Sequence, residues 1–132
     1  FLRGNFYNDQ QYFRKAIIDI ESRLSFQPND VSAWKDKAKY YFQLNDLSAS
    51  YASLLKASKL APKDPSIYVD LGIVLATNKE TSQACNFLGK AEFLIDDAIK
   101  EKGDRGAFSE DYRQERDRLQ QWKDFLECSI TF

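Results

Sequence analysis

The fold of this chain follows from residues 34–62, which read WKDKAKYYFQLNDLSASYASLLKASKLAP. Residues 68–96, YVDLGIVLATNKETSQACNFLGKAEFLID, repeat their pattern at a spacing of 34 residues. In both segments an apolar stripe with helical spacing precedes a short polar break and a second stripe. Self-similarity at a fixed period of about 20–50 residues is typical of solenoid proteins. The spacing therefore predicts stacked helix-turn-helix repeats and a binding surface, without naming a partner.

The composition favours a single α-helical domain. The chain has 132 residues, 43% of them hydrophobic, which allows one domain with a core and is too short to expect two. Five glycines and three prolines are few for the many turns of an all-β fold. We therefore expect one domain over residues 1–132.

Charge and hydropathy argue against nucleic-acid binding and membrane insertion. Nineteen basic and twenty acidic residues leave a net charge of −1, so no overall field attracts an anionic partner. The best apolar run, residues 73–76, is far shorter than the roughly 20 residues that span a bilayer. We expect no nucleic-acid partner, no membrane insertion and a cytoplasmic location, with an exported or periplasmic mature chain as the alternative.

The two cysteines, Cys85 and Cys128, form no recognisable metal site, because the chain has no histidine and no CxxC pair. Free thiols are the simplest interpretation. A bridge between them is the alternative, and it would imply an oxidising compartment.

Breaks between the predicted helices are marked by turn-forming residues. Asp30 or Ser32 can accept a hydrogen bond from a free N–H at the start of a helix. Asn45 and Asp46 separate the two helices of the middle repeat. Residues 61–65, APKDP, then separate that repeat from the next.

These residues resemble the tetratricopeptide-repeat family, whose repeat has three large positions, three small positions and a proline near its end. The middle repeat fills them with Trp34, Ala38, Tyr41, Ser50, Leu54, Ala57 and Pro62. The third repeat has Tyr68, Gly72, Leu75, Ala84, Leu88 and Ala91. An earlier repeat has Gly4, Tyr7, Ala16, Ile20 and Pro28 in the same frame. The resemblance covers residues 1–96 and implies an all-α fold, a right-handed superhelical solenoid of helix-turn-helix repeats with a C-terminal capping helix.

The same frame sets the expected repeat boundaries. Residues 1–30 are a truncated first repeat, 31–64 the second, and 65–101 the third. Asp96 stands where the other two repeats have proline. The second helix of the third repeat is therefore expected to be longer and to continue through Lys100.

A capping helix is expected over residues 108–128, because a solenoid needs a terminal element with one apolar and one polar face. The apolar residues of this segment have the spacing of a single helical face. They are Tyr112, Leu119, Trp122 and Leu126.

Catalysis is not indicated by the sequence. The chain has no histidine, no glycine-rich phosphate loop and no nucleophile beside a recognisable base. The carboxylate pairs at 96–97 and 110–111 are better explained as solvated helix ends. We therefore expect no enzyme, no cofactor and no bound metal.

The resemblance implies where a partner would bind. In tetratricopeptide-repeat proteins the first helix of each repeat lines a concave groove that holds an extended peptide or a partner's helix. The corresponding residues are Asn5, Asn8, Lys35, Asp36, Lys39, Phe42, Val69, Asp70, Ile73 and Ala76. Their mixture of charges with an apolar strip suits an amphipathic ligand. The expected function is that of an adaptor or scaffold module that binds a protein or peptide.

One ligand class of this family is not expected. Some co-chaperones hold the C-terminal carboxylates of a partner in a clamp of lysine, asparagine and arginine. Asp36 and Asp70 stand at two of the clamp positions, where carboxylates would repel the ligand.

The alternative function is structural. The chain has no methionine, and we expect a fragment of a longer protein or a processed product. Such a piece would be a subunit of a longer helical-repeat assembly, stacking on further repeats or self-associating through open repeat edges.

Overall fold

A computed structural model of the chain describes residues 2–102 and 110–128, with side chains in 9–101 and 113–128. The described residues form α-helices and no strand, as the sequence predicts. The helices are α1 (Leu2–Phe26), α2 (Val31–Gln43), α3 (Leu47–Leu60), α4 (Pro65–Thr77), α5 (Thr81–Lys102) and α6 (Glu110–Leu126). None of these helices is both long enough and apolar enough to span a membrane.

Contacts between helices divide the chain into two compact units, Phe1–Pro62 and Lys63–Phe132. In the first unit, α2 packs against both α1 and α3. In the second unit, α4 packs against α5, and α6 packs against both of them. The expectation of one domain over the whole chain stays a prediction.

Aspartate side chains begin three of the helices. Asp30, Asp46 and Asp64 each accept a hydrogen bond from a first-turn N–H, at 3.1, 3.2 and 3.0 Å, in α2, α3 and α4. These N–H groups have no partner within the helix. Each carboxylate therefore satisfies a backbone donor, and its negative charge interacts favourably with the positive end of the helix dipole. Of the two predicted caps of α2, Asp30 makes this bond, and Ser32 lies inside the helix.

The turn between paired helices has the same geometry in both units. Asn45 (φ 62°) and Lys79 (φ 64°) adopt the left-handed conformation at equivalent positions, 34 residues apart. In each turn the N–H of the next residue donates to a carbonyl oxygen of the preceding helix, at 2.9 Å after Asn45 and 2.8 Å after Lys79. The sequence period is therefore also a period in backbone conformation.

Small residues let the paired helices approach closely. A Cβ atom at Gly72 would lie 2.7 Å from Cδ2 of Leu88, a side chain that is 0% exposed. In the first unit, buried Ser50 donates its hydroxyl to the carbonyl oxygen of Ala38 at 2.8 Å. A larger side chain at either place would push apart helices whose contact supplies the core.

The described part of residues 1–30, expected as a truncated first repeat, has no turn between two helices. α1 is one continuous helix of 25 residues. In the other two repeats the turn between the paired helices has its left-handed residue at Asn45 and Lys79. The equivalent residue in the first repeat is Gln11, 34 residues before Asn45. Glutamine does not favour the left-handed conformation as asparagine does, because its longer side chain does not hydrogen-bond its own backbone locally. No glycine or proline lies within four residues of Gln11 to break the helix instead.

The second helix of the third repeat is longer than its counterpart in the middle repeat. α5 has 22 residues and passes Asp96 without a break, whereas α3 has 14. α6 follows over Glu110–Leu126, and residues 108 and 109 of the expected capping helix lie outside the described residues.

Exchanging the two left-handed residues should change stability in opposite directions. Lys79→Asn should raise the free energy of unfolding by about 0.5–1 kcal/mol, and Asn45→Lys should lower it by a similar amount, because asparagine tolerates this conformation better. Urea denaturation of the two variants measures both changes. Shifts of the same sign would contradict the role assigned to the turn.

Two glycine substitutions should also differ in sign. Gly72→Ala should lower the free energy of unfolding by about 1–3 kcal/mol, because its methyl group meets Leu88. Gly89→Ala is the control, since no atom lies within 4 Å of its added Cβ. That change should stabilise α5 by about 0.5–1 kcal/mol through helix propensity. Thermal denaturation measures both, and a neutral Gly72→Ala would show that close approach is not required there.

Candidate partner-binding site

In the first unit, the candidate residues form one face of α2. Lys35, Lys39 and Phe42 follow each other at the four- and three-residue spacings of a helical face, and Asp36 lies beside them. Asp36 and Lys39 are exposed, whereas Lys35 and Phe42 are half-buried. This face therefore presents charges of both signs next to a partly accessible aromatic ring. The side chains of the other two first-unit candidates, at positions 5 and 8, lie outside the described residues.

An aromatic cluster adjoins this face, and the sequence analysis missed it. The ring centroid of Tyr40 lies 6.2 Å from that of Tyr12 and 5.8 Å from that of Phe13. A hydrogen bond with Tyr12 raises the pKa of Tyr40, and burial raises the pKa of Tyr41. The only signal in the sequence was a pair of aromatic residues in α1, which a helical period alone does not connect to α2.

In the second unit, Val69 is 0% exposed, so its assignment as a binding residue is wrong for this structure. α4 contacts both α5 and α6, which leaves less of its surface to solvent than a helix with one neighbour would have. Ile73 and Ala76 are half-buried and keep part of their surface accessible.

The carboxylate of Asp70 is also engaged within the chain. It forms an ion pair with the guanidinium of Arg118 in α6, and the two side chains are 30% and 41% exposed. Arg118 also lies 3.4 Å from a carboxylate oxygen of Glu115. A partner that contacts Asp70 must therefore either accommodate Arg118 or displace it. Nothing in the sequence connects these two residues, which are 48 positions apart.

Two further ion pairs join α6 to α5. They are Arg116 with Asp96, and Lys123 with Glu92 at 3.0 Å. At the centre of α6, Leu119 is 2% exposed and packs into the core of the second unit. The helix expected as a cap therefore contacts its unit through one buried leucine surrounded by partly exposed ion pairs.

The cysteines form a disulfide, so the preferred interpretation of free thiols is wrong. Cys85 lies in the first turns of α5 and Cys128 just beyond the end of α6, and their Cα atoms are 5.5 Å apart. The packing of α6 along α5 brings these ends together. The bridge fixes the C-terminal end of α6 to its unit.

A metal or cofactor site is not apparent in the described residues. Within them, no group of three or more histidine, cysteine, aspartate or glutamate side chains is placed to hold a metal ion. An open cavity of about 400 Å³ is lined by residues 27–30. Two of its polar groups have partners: Asp30 forms an ion pair with Arg23 at 2.8 Å, and the carbonyl oxygen of Pro28 accepts from Trp34 Nε1 at 2.9 Å.

Comparison with known proteins identifies the fold. No protein-family model and no curated protein matches the sequence. Among solved structures, the TPR2B domain of yeast Sti1, in a complex with pHsp70, matches with a TM-score of 0.62. The match has 19% sequence identity and covers 91% of this chain and 92% of that chain. This chain has a tetratricopeptide-repeat fold.

The tetratricopeptide-repeat fold predicted from the 34-residue spacing is thus confirmed. α2 with α3, and α4 with α5, are its two helix pairs in the described residues, and α6 follows them. An identity of 19% shows the fold and not the ligand. The binding residues therefore stay predictions, with Val69 corrected as buried and Asp70 paired with Arg118.

Proposed function

We propose that the chain is a protein-interaction module that binds a peptide or a helix of a partner protein on the first helices of its repeats. The tetratricopeptide-repeat fold supports this function in general terms, because it is a protein-interaction fold and the matched Sti1 domain is in a complex with pHsp70. The observation that carries the proposal is the accessible face of α2, with Asp36 and Lys39 exposed beside Phe42. Nothing in the proposal requires catalysis or a cofactor.

The ligand we propose is amphipathic and does not end in a clamped carboxylate. Asp36 is exposed on the face of α2, where it would repel a terminal carboxylate. Lys39, three residues after Asp36, offers a cation on the same face. Phe42, three residues after Lys39, offers an apolar contact. A helix or peptide with an apolar side and charges of both signs fits this face.

The residues proposed to contact the ligand are a reduced set of those predicted from the sequence. Val69 is left out because it is buried, and Asp70 enters only together with Arg118. The set on the two first helices is Lys35, Asp36, Lys39, Phe42, Ile73 and Ala76.

We also propose that the disulfide forms in an oxidising compartment, with the chain as an exported or periplasmic mature protein. The disulfide between Cys85 and Cys128 supports this location. Disulfides persist in oxidising compartments and are rare in the cytosol, where thiols are kept reduced.

Charge reversal on α2 tests the binding face. Affinity capture with the wild-type chain, followed by mass spectrometry, first identifies a partner. Lys39→Glu should then weaken the affinity about tenfold, measured by calorimetry, because it places repulsion at the contact. Lys56→Glu in α3 is the matched control, an exposed lysine with the same charge change, and it should bind as the wild type does. Equal affinities for all three proteins would refute the assignment of the site to α2.

A structural role is the second candidate, and two exposed apolar side chains of α1 favour it. Ile18 is 65% exposed and Phe26 is 84% exposed. Apolar side chains at the outer edge of a repeat array can stack on further repeats or on a second copy.

The mass in solution separates the two roles. For a structural role, light scattering at micromolar concentration should give a dimer or larger species, and Ile18→Glu combined with Phe26→Glu should restore the monomer. A monomeric wild-type chain would count against stacking between copies and favour the interaction module. The control is Lys15→Glu, also in α1. It should leave the measured mass unchanged, since the lysine side chain is already charged and exposed to solvent.

A further inference from the structure

The surface that α6 covers is itself a helix-binding face. It carries three carboxylates, Asp70 on α4 and Glu92 and Asp96 on α5, and each is paired with a basic side chain of α6. Leu119 of α6, whose sequence neighbours include the basic residues of these pairs, is 2% exposed. The face therefore presents carboxylates, and the side of α6 that meets it presents basic side chains on either side of a buried leucine.

Few of the described side chains of α6 are buried against the rest of the second unit. Among its described side chains, Leu119 is the one that is fully buried, while Trp122 and Leu126 are half-buried and Phe125 is exposed. Every ion pair includes a side chain that is at least 40% exposed. Partly exposed ion pairs are screened by solvent and salt and contribute little to stability. Segments held in this way are the ones that open by local unfolding.

The disulfide is the one covalent contact between α6 and the helix it covers. Cys128 lies two residues beyond the end of α6, and its bond to Cys85 holds that end of the helix on α5. Both cysteine residues are half-buried, so each retains some exposure to solvent. A thiolate reductant needs such access to a sulfur atom.

We propose that the Cys85–Cys128 disulfide is a redox latch over a binding face for an amphipathic helix whose contacting side is basic. While the bond is intact, α6 occupies the face. After reduction, α6 leaves and a partner helix with basic residues around a central leucine takes its place. This inference is independent of the binding role of α2, although the same opening frees Asp70, one of the predicted contact residues.

The reaction that opens the latch is thiol–disulfide exchange with a dithiol reductant. A thiolate of the reductant attacks one sulfur of the bridge, the S–S bond breaks, and the other cysteine leaves as a thiolate that takes up a proton. The second thiol of the reductant then resolves the mixed disulfide. Two electrons and two protons pass to the protein, which gains two thiols, and the reductant becomes a disulfide.

Hydrogen exchange of the full chain tests the release of α6. On addition of dithiothreitol, amides of α6 should exchange about tenfold faster, while amides of α2 and α3 keep their rates. The variant Cys85→Ser with Cys128→Ser should behave as the reduced chain does, with or without dithiothreitol. Unchanged exchange in α6 on reduction would overturn the latch, and so would a parallel loss of protection in α4 and α5.

A labelled peptide of residues 110–127 tests the uncovered face. The chain is given Arg118→Ser and Lys123→Ser, which weaken its own α6 and leave the receiving face unaltered. Fluorescence anisotropy should show the peptide binding the reduced variant about tenfold more tightly than the oxidised one. Adding Glu92→Gln to the variant should weaken this binding. Equal affinity in both redox states, or no binding to the reduced variant, would refute the proposed helix exchange.

Discussion

The close approach of two helices at small residues is the constraint on which the rest of the structure depends. At Gly72 the side chain of Leu88 occupies the space that a Cβ atom would need, and at Ser50 a hydroxyl reaches the backbone of the facing helix. Close approach lets the large side chains of each pair interlock at the density of a protein interior. It also fixes which side of each first helix is packed, and therefore which side is left for a ligand.

The turns make this contact reproducible. Asn45 and Lys79 take the same left-handed conformation, and aspartates begin the helices on either side of the first turn. Because the chain reverses in the same way each time, the small positions of the second helix meet those of the first. Where the turn residue is unsuitable, as at Gln11, the chain remains helical and no pair forms.

How much could be predicted from the sequence depends on the range of the interaction. The four helices from Val31 to Lys102 follow from periodicity, proline and aspartate signals, because these act within a few residues. The disulfide and the contact between Asp70 and Arg118 depend on where α6 lies against α4 and α5. No local pattern encodes that position. Val69 was misassigned because a repeat frame gives its position in the motif and not whether its side chain is buried.

The two first helices of equivalent repeats therefore differ in how much of their candidate face is accessible. α2 keeps charged residues exposed on its candidate face, whereas the equivalent face of α4 has lost Val69 to the core and Asp70 to an ion pair. α6 supplies the Arg118 that pairs with Asp70, and it is bound through the disulfide to α5. Under the proposed release of α6, the state of the Cys85–Cys128 bond determines whether Asp70 is paired with Arg118 or accessible to a ligand.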